Sequence, residues 1–316
     1  MRKRMIKIVQ YLSLVIICCG LGACAGAGGK QQKEKVVKQQ PGFTLPEIPM
    51  MLTSPDDRAK FLATHYWDNF DFKDTVYIHL PDVTEQALVD FMDMMNHVPA
   101  SVADSAITHA LKGASAEPKM LNYFWETFSR YWYDPNSPLR NEDFYIMVCR
   151  VVGGLPQADE AMNSRAKYNL TQALKNRPGT VAADFTYTLE SGKQGTLYSI
   201  HSPYTILFFY NPDCHMCAEI KKYLRESSVL NELLKKKQTA LLAFYPDEDV
   251  DLWREHSNEM LPMWINAYDK GVVVDREQTY DLRAIPTFYL LDKDKKVLLK
   301  DVQIEEIEAY LKNKLL

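Results

Sequence analysis

The residues best spaced for chemistry are two cysteines three positions apart, in the run Cys214-His215-Met216-Cys217. A thiolate is the nucleophile of disulfide exchange, so a redox pair needs one accessible sulfur in a setting that favours its charge and a second sulfur within reach. Residues 205–210 form a continuous apolar run, as a strand covered on both faces requires, and stop at Asn211-Pro212-Asp213. Cys214 then opens a helix predicted over residues 214–226. That position sets its sulfur beside unpaired backbone N–H groups and the positive end of the helix dipole. Cys217 follows one helical turn later on the same face and further in, where it can resolve a mixed disulfide. Cys214 is therefore the expected attacking thiol and Cys217 the expected resolving thiol.

Other chemistries open to these residues find less support elsewhere in the chain. A structural zinc needs four ligands, and no second close pair of Cys or His follows. Covalent haem attachment needs His directly after the second cysteine, where Ala218 stands. A thiol peroxidase works with a lone peroxidatic cysteine and has no need of a second one three residues away. No cofactor and no metal is expected. The flanking charges leave the redox potential open: a protonated His215 stabilises a thiolate at Cys214, whereas Asp213 opposes it over a similar distance. Lys221, one turn beyond Cys217, is either a charge that acts on the pair or, as the sequence favours, a solvated helix lysine. Reductant, oxidant and isomerase all fit.

The elements that must position this pair begin after an address label. Arg2, Lys3 and Arg4, an apolar run over about residues 8–19 and a set of small residues form the layout of a secretory signal over residues 1–23. Leu21-Gly22-Ala23-Cys24 resembles a bacterial lipobox, which implies a lipid on Cys24 as the mature N-terminus. A transmembrane anchor is the alternative, since the apolar stretch reaches about the minimum spanning length. Either reading puts the rest of the chain in the cell envelope, tethered to a membrane, and no acidic run follows Cys24, which favours the periplasmic side. Removing the four positive charges of the leader takes the formal charge from −4 to −8, a balance that argues against nucleic acid as a partner. Of six cysteines, Cys149, Cys214 and Cys217 then remain free. A disulfide framework for stability would show wider pairs, because a loop this short gains little from closure. Cys149, within the apolar residues 144–152, is expected to be a buried small hydrophobe.

The chain has 316 residues, 47% of them hydrophobic, enough for two domains. Residues 24–49, rich in Gly, Gln, Lys and Pro, are expected to be a flexible linker. Residues 50–177 show apolar spacings of three and four and form an expected all-helical domain. Its helices are placed at 85–96, 101–112 (ended by Gly113), 119–133, 141–152 and 159–176, after one capped by Ser54. Phe124, Trp125, Phe128, Tyr131 and Trp132 are expected in its core, with a face for a protein partner as the alternative. Residues 178–316 alternate short β-type runs with helices, including a hairpin around Glu190-Ser191-Gly192-Lys193 and strands at 239–245, 287–291 and 297–300. Residues 262–268 are expected to be a hydrophobic link.

With these elements in place, residues 183–302 resemble the thioredoxin-like family, specifically its membrane-tethered extracytoplasmic branch. The resemblance rests on Ala183-Asp184-Phe185, on the cysteine pair, and on Ile285-Pro286-Thr287 followed by Phe288-Tyr289-Leu290-Leu291-Asp292. It implies an α/β thioredoxin-like fold, a central mixed sheet flanked by helices, preceded here by the all-helical domain. It also implies a cis Pro286 facing the cysteines, with the backbone before it turned outward to pair with an extended substrate. The implied activity is thiol:disulfide exchange on protein thiols and disulfides. Asp213 departs from the family's usual Trp, Met216 from its Pro, and the strand before the motif lacks the usual acid. The helical domain resembles a domain of unknown function found in lipoproteins of Bacteroidota, notably at Tyr133-Asp134-Pro135-Asn136-Ser137-Pro138. Every residue with a chemical role lies after Gly179, so catalysis is expected in the C-terminal domain alone. A binding or assembly role that uses the fold as a scaffold is the competing class.

Overall fold

The computed structural model describes residues 42–316, and the expected signal segment and Cys24 lie outside them. Six helices form the first layer: α1 (Pro55–His65), α2 (Pro81–Met95), α3 (Ala100–Ala114), α4 (Pro118–Phe128), α5 (Glu142–Val152) and α6 (Glu160–Ala173). Their starts follow local chemistry. Ser54, Asn141 and Asp159 each accept a backbone N–H from the first turn of α1, α5 and α6, and Pro stands at the start of α1, α2 and α4, where its missing donor is harmless. The aromatic stripe is core: Phe124, Trp125, Phe128 and Trp132 are buried, with Phe128 and Trp132 stacked at 4.9 Å. Tyr131 sits at the rim, where its hydroxyl donates to Glu85 on α2 at 2.7 Å.

Three expectations for this half need correction. Gly113 does not end α3, which runs to Ala114; a glycine stands there because the Phe72 ring fills the space a Cβ would need. The helix expected over 119–133 is α at first only, then widens over Ser129–Tyr133, with the Asp134 N–H bonded five residues back to the Ser129 carbonyl at 3.1 Å. Packed structure also begins before residue 50: Phe43 lies against Tyr66 and Trp67 at 5.0 and 5.2 Å, and Asn69 donates to the Thr44 and Leu45 carbonyls.

The second half contains β1 (Thr186–Leu189), β2 (Gln194–Thr196), β3 (Tyr204–Phe209), α7 (His215–Glu226), α8 (Ser228–Lys235), β4 (Thr239–Tyr245), α9 (Val250–Glu255), β5 (Ile265–Tyr268), α10 (Val273–Arg276), β6 (Thr287–Asp292), β7 (Val297–Lys300) and α11 (Ile304–Leu315). The sheet order is β2-β1-β5-β4-β3-β6-β7, with β3, β4 and β5 parallel and the other pairings antiparallel. Side chains of β3 alternate between two cores, Ile206 and Phe208 on the α7 side and Leu207 and Phe209 on the other, as period-two geometry requires. This is the expected α/β fold behind an all-helical domain. The segment 262–268 is not merely a link, since β5 lies within it, parallel to β4 and antiparallel to β1. The hairpin's second strand, expected over 196–200, lies instead at Gln194–Thr196, because Thr196 and Ser199 cap each other reciprocally and turn residues 197–199 into a single 3-10 turn.

The two halves meet along a charged seam. Glu142, at the start of α5, accepts from Arg177 at 3.1 Å and from Lys300 at 2.8 Å, and lies 3.7 Å from Arg283. Arg140 pairs with Asp301 at 2.7 Å, and the Arg283 guanidinium lies 3.6 Å over the Tyr133 ring. Asn176 donates to the Thr279 carbonyl and accepts the Ala183 N–H.

Candidate active site

Cys214 occupies the cap position of α7 with an extended backbone, φ −79° and ψ 117°. From there its sulfur accepts the Cys217 N–H at 3.3 Å, so a charge on it would meet the open end of the helix. The thiol itself donates to the Ile285 carbonyl at 3.5 Å. The Ile285–Pro286 bond is cis, and this loop faces the cysteine pair. Cys214 is partly buried, whereas Cys217 is sealed from solvent. Burial, reinforced by its hydrogen-bonded neighbour Cys214, pushes the Cys217 thiol well above its ordinary range. Asp213 and His215 are exposed, and neither side chain makes a hydrogen bond among the described residues. Met216 projects beside them, 56% exposed.

Lys221 requires a correction. It is not solvated but buried, one turn behind Cys217, where its ammonium pairs with Glu259 and lies 6.0 Å from the centre of the Tyr210 ring. Glu259 also meets His256 Nδ1 at 2.7 Å, and the Lys221 ammonium, more than any other group, holds its carboxyl below the usual carboxylate range. The strand before the motif has no acid; here the acid arrives from the turn Ser257–Glu259 after α9. Nothing in the sequence marks Glu259, because its role depends on a partner 38 positions away. Cys149 is fully buried in the helical core, and burial pushes its thiol up to about 12. Among the described residues no cluster of His, Cys, Asp or Glu is arranged to hold a metal ion, and no helix is long and apolar enough to cross a membrane.

Sequence reasoning placed no residue of the helical domain at the site, yet Pro135 and Asn136 line a cleft with Met216, Ile220 and Pro286. The loop carrying them follows the widened turn after α4. Its link to the cis-proline loop is Arg283, which donates to the Tyr133 carbonyl at 2.5 Å and stands three residues before Pro286.

Comparison with known proteins agrees with both halves. Residues 23–176 match the family model described as a domain of unknown function, DUF5106. The structure superposes with a TM-score of 0.82 on a crystal structure of a thioredoxin-like protein from Bacteroides caccae, 46% identical, covering 87% of this chain and 99% of that one. The C-terminal domain of an uncharacterized protein from Bacteroides fragilis is 50% identical over 43% of this chain and 98% of its own, with a TM-score of 0.43. The thiol-disulfide oxidoreductase ResA of Bacillus thuringiensis is 28% identical over 141 residues, 44% of this chain and 79% of the relative. The chain belongs to the thioredoxin-like family, with a helical DUF5106 domain fused ahead of its thioredoxin-like domain.

Proposed function

We propose that the protein exchanges thiols and disulfides on polypeptide clients through Cys214 and Cys217. The observation that carries this reading is the Cys214 sulfur held between the Cys217 N–H and the Ile285 carbonyl, with a second thiol sealed behind it. The Cys214 thiolate attacks one sulfur of a client disulfide, forming a mixed disulfide and expelling the other client sulfur as a thiolate, which takes up a proton. Cys217 then loses its proton and attacks the Cys214 sulfur, expelling the second client thiolate. Two electrons pass to the client, two protons follow, and the protein is left with a Cys214–Cys217 disulfide that an external dithiol reduces again.

Lys221 serves the second step. Its buried charge favours the Cys217 thiolate against the burial that opposes it, and Glu259 balances that charge. Lys221→Met should slow release of the client about tenfold, at the lower end of what an adjacent charge does to an ionising group. Because the Cys217 thiol titrates far above neutrality in either protein, the logarithm of the rate should rise with pH along two parallel lines. Two coincident lines would remove Lys221 from the mechanism.

An equilibrium titration of the full chain in defined dithiol buffers tests the function. A single two-electron couple is expected, abolished in Cys217→Ala, and its position relative to the glutathione pool decides between reductant and oxidant. A chain with no titratable couple would instead fit the scaffold reading.

The site is further proposed to work in the cell envelope, anchored through lipid on Cys24, on the strength of the lipobox after an apolar segment. Labelling of growing cells with a fatty acid should mark the wild-type protein and not Cys24→Ala. Equal labelling of both would refute the anchor.

A further inference from the structure

The geometry points to the helical domain as one wall of the client groove: Pro135 and Asn136 contact an extended segment of the client polypeptide beside its reacting cysteine. This rests on the exchange reading above and adds to it a partner for the helical domain. The cleft of about 130 Å³ at Pro286 opens between Met216 and Ile220 on one side and Pro135 and Asn136 on the other. It shares Arg140, Asp301, Val302 and Gln303 with a second cavity of about 430 Å³ that continues along the seam towards Trp132 and Glu306. Together they form a channel, one end of which is lined by Ile285, the residue whose carbonyl accepts from the Cys214 thiol.

The chemistry of this channel selects its occupant. Its cations are already neutralised, Arg140 by Asp301, Arg283 by Asp281 and Lys300 by Glu142, so a free phosphate or carboxylate finds no spare charge. Beside Pro286 the lining includes the apolar side chains of Met216, Ile220, Phe288 and Pro135 among polar groups, and the Met216 thioether is flexible. Further along it is polar. An apolar residue next to the client cysteine, followed by solvated backbone, matches that order, and an extended chain laid against the outward backbone at Pro286 would run into it.

The wall is also built to hold its shape. Ser137 donates to the Tyr131 carbonyl at 2.6 Å and accepts the Leu139 N–H, Asp134 accepts the Asn136 N–H at 2.8 Å, and the Asn141 N–H closes the loop on the Trp132 carbonyl. Arg283 ties the loop to the segment that carries Pro286. A wall fixed in this way discriminates by shape rather than by folding onto whatever arrives.

The test compares two substrates on the reduced full-length protein: a ten-residue peptide whose cysteine is blocked with thionitrobenzoate, and the small symmetrical aromatic disulfide of the same reagent. Both report by thionitrobenzoate release. Asn136 is exposed at the loop tip, so Asn136→Trp obstructs the channel without disturbing the core. It should lower the ratio of peptide to small-disulfide rate constants about tenfold, and Gln303→Trp on the facing wall should do the same. An unchanged ratio in Asn136→Trp, whatever Gln303→Trp does, overturns the inference. If the wild type releases thionitrobenzoate from neither substrate, it is the exchange reading that fails.

Discussion

Cells producing Cys217→Ala should accumulate mixed disulfides with envelope proteins, at least tenfold above the wild type, while Cys214→Ala accumulates almost none. The asymmetry follows from where the two sulfurs stand. Cys214 is partly accessible and sits at the open end of α7, so it attacks whether or not Cys217 is present. Without Cys217 no group behind it can expel the client. In Cys214→Ala the surviving thiol is buried and pushed well above its ordinary range, so it has neither access nor thiolate. Cys149 should not contribute, since it is buried in the other core and raised to about 12. Replacing it with Ala in both backgrounds should leave the band pattern unchanged. Non-reducing electrophoresis with mass spectrometry of the adducts reads the outcome. Stronger trapping in Cys214→Ala would reverse the two roles, and no adducts in either would return weight to the scaffold reading.

Glu142→Leu should destabilise the chain by about 3 kcal/mol, the range measured when one partner of a buried ion pair is removed. Lys300 is the reason. Its side chain is 4% exposed and is left holding only the Ala173 carbonyl at 3.0 Å once the carboxylate is gone. Burial already lowers the affinity of that amine for its proton. Arg177 and Arg283 lose the same acceptor, so the seam between the two halves should loosen along with the local structure. Adding Lys300→Met to Glu142→Leu should restore most of the loss, because an apolar pair of similar volume no longer strands a charge. Urea unfolding of the four proteins in the cycle measures both terms. A single-variant effect below about 1 kcal/mol would mean that water reaches Lys300 and that the seam does not depend on Glu142.

What could be read in the sequence was what depends on near neighbours. The helix starts at Ser54, Asn141 and Asp159 are local bonds to the first turn, and the aromatic run from Phe124 to Trp132 is too dense to stay in water. The cysteine pair at a strand-to-helix junction and the distant Ile285-Pro286-Thr287 likewise announce themselves by type and spacing. The rest depends on partners that spacing does not reveal. Lys221 looks like any helix lysine until Glu259 is brought beneath it, and Gly113 looks like a helix stop until Phe72 is packed on it. The strand β5 is only four residues long, and its identity comes from the strands on either side. Pro135 and Asn136 carry no chemistry of their own, so their nearness to the cysteines could come only from the fold.

The turn at Ser129–Tyr133 is wider than an α-helical one. A helix turns about 100° per residue, so a turn closed five residues back holds one residue more than an ordinary helix would. Ordinary helical bonding over the same residues would turn everything after them by roughly a further quarter of a revolution. Tyr133 would then face away from Arg283, and the loop beyond it would leave the cleft at Pro286. The residue taken up in the widened turn is therefore what keeps Pro135 and Asn136 at that cleft.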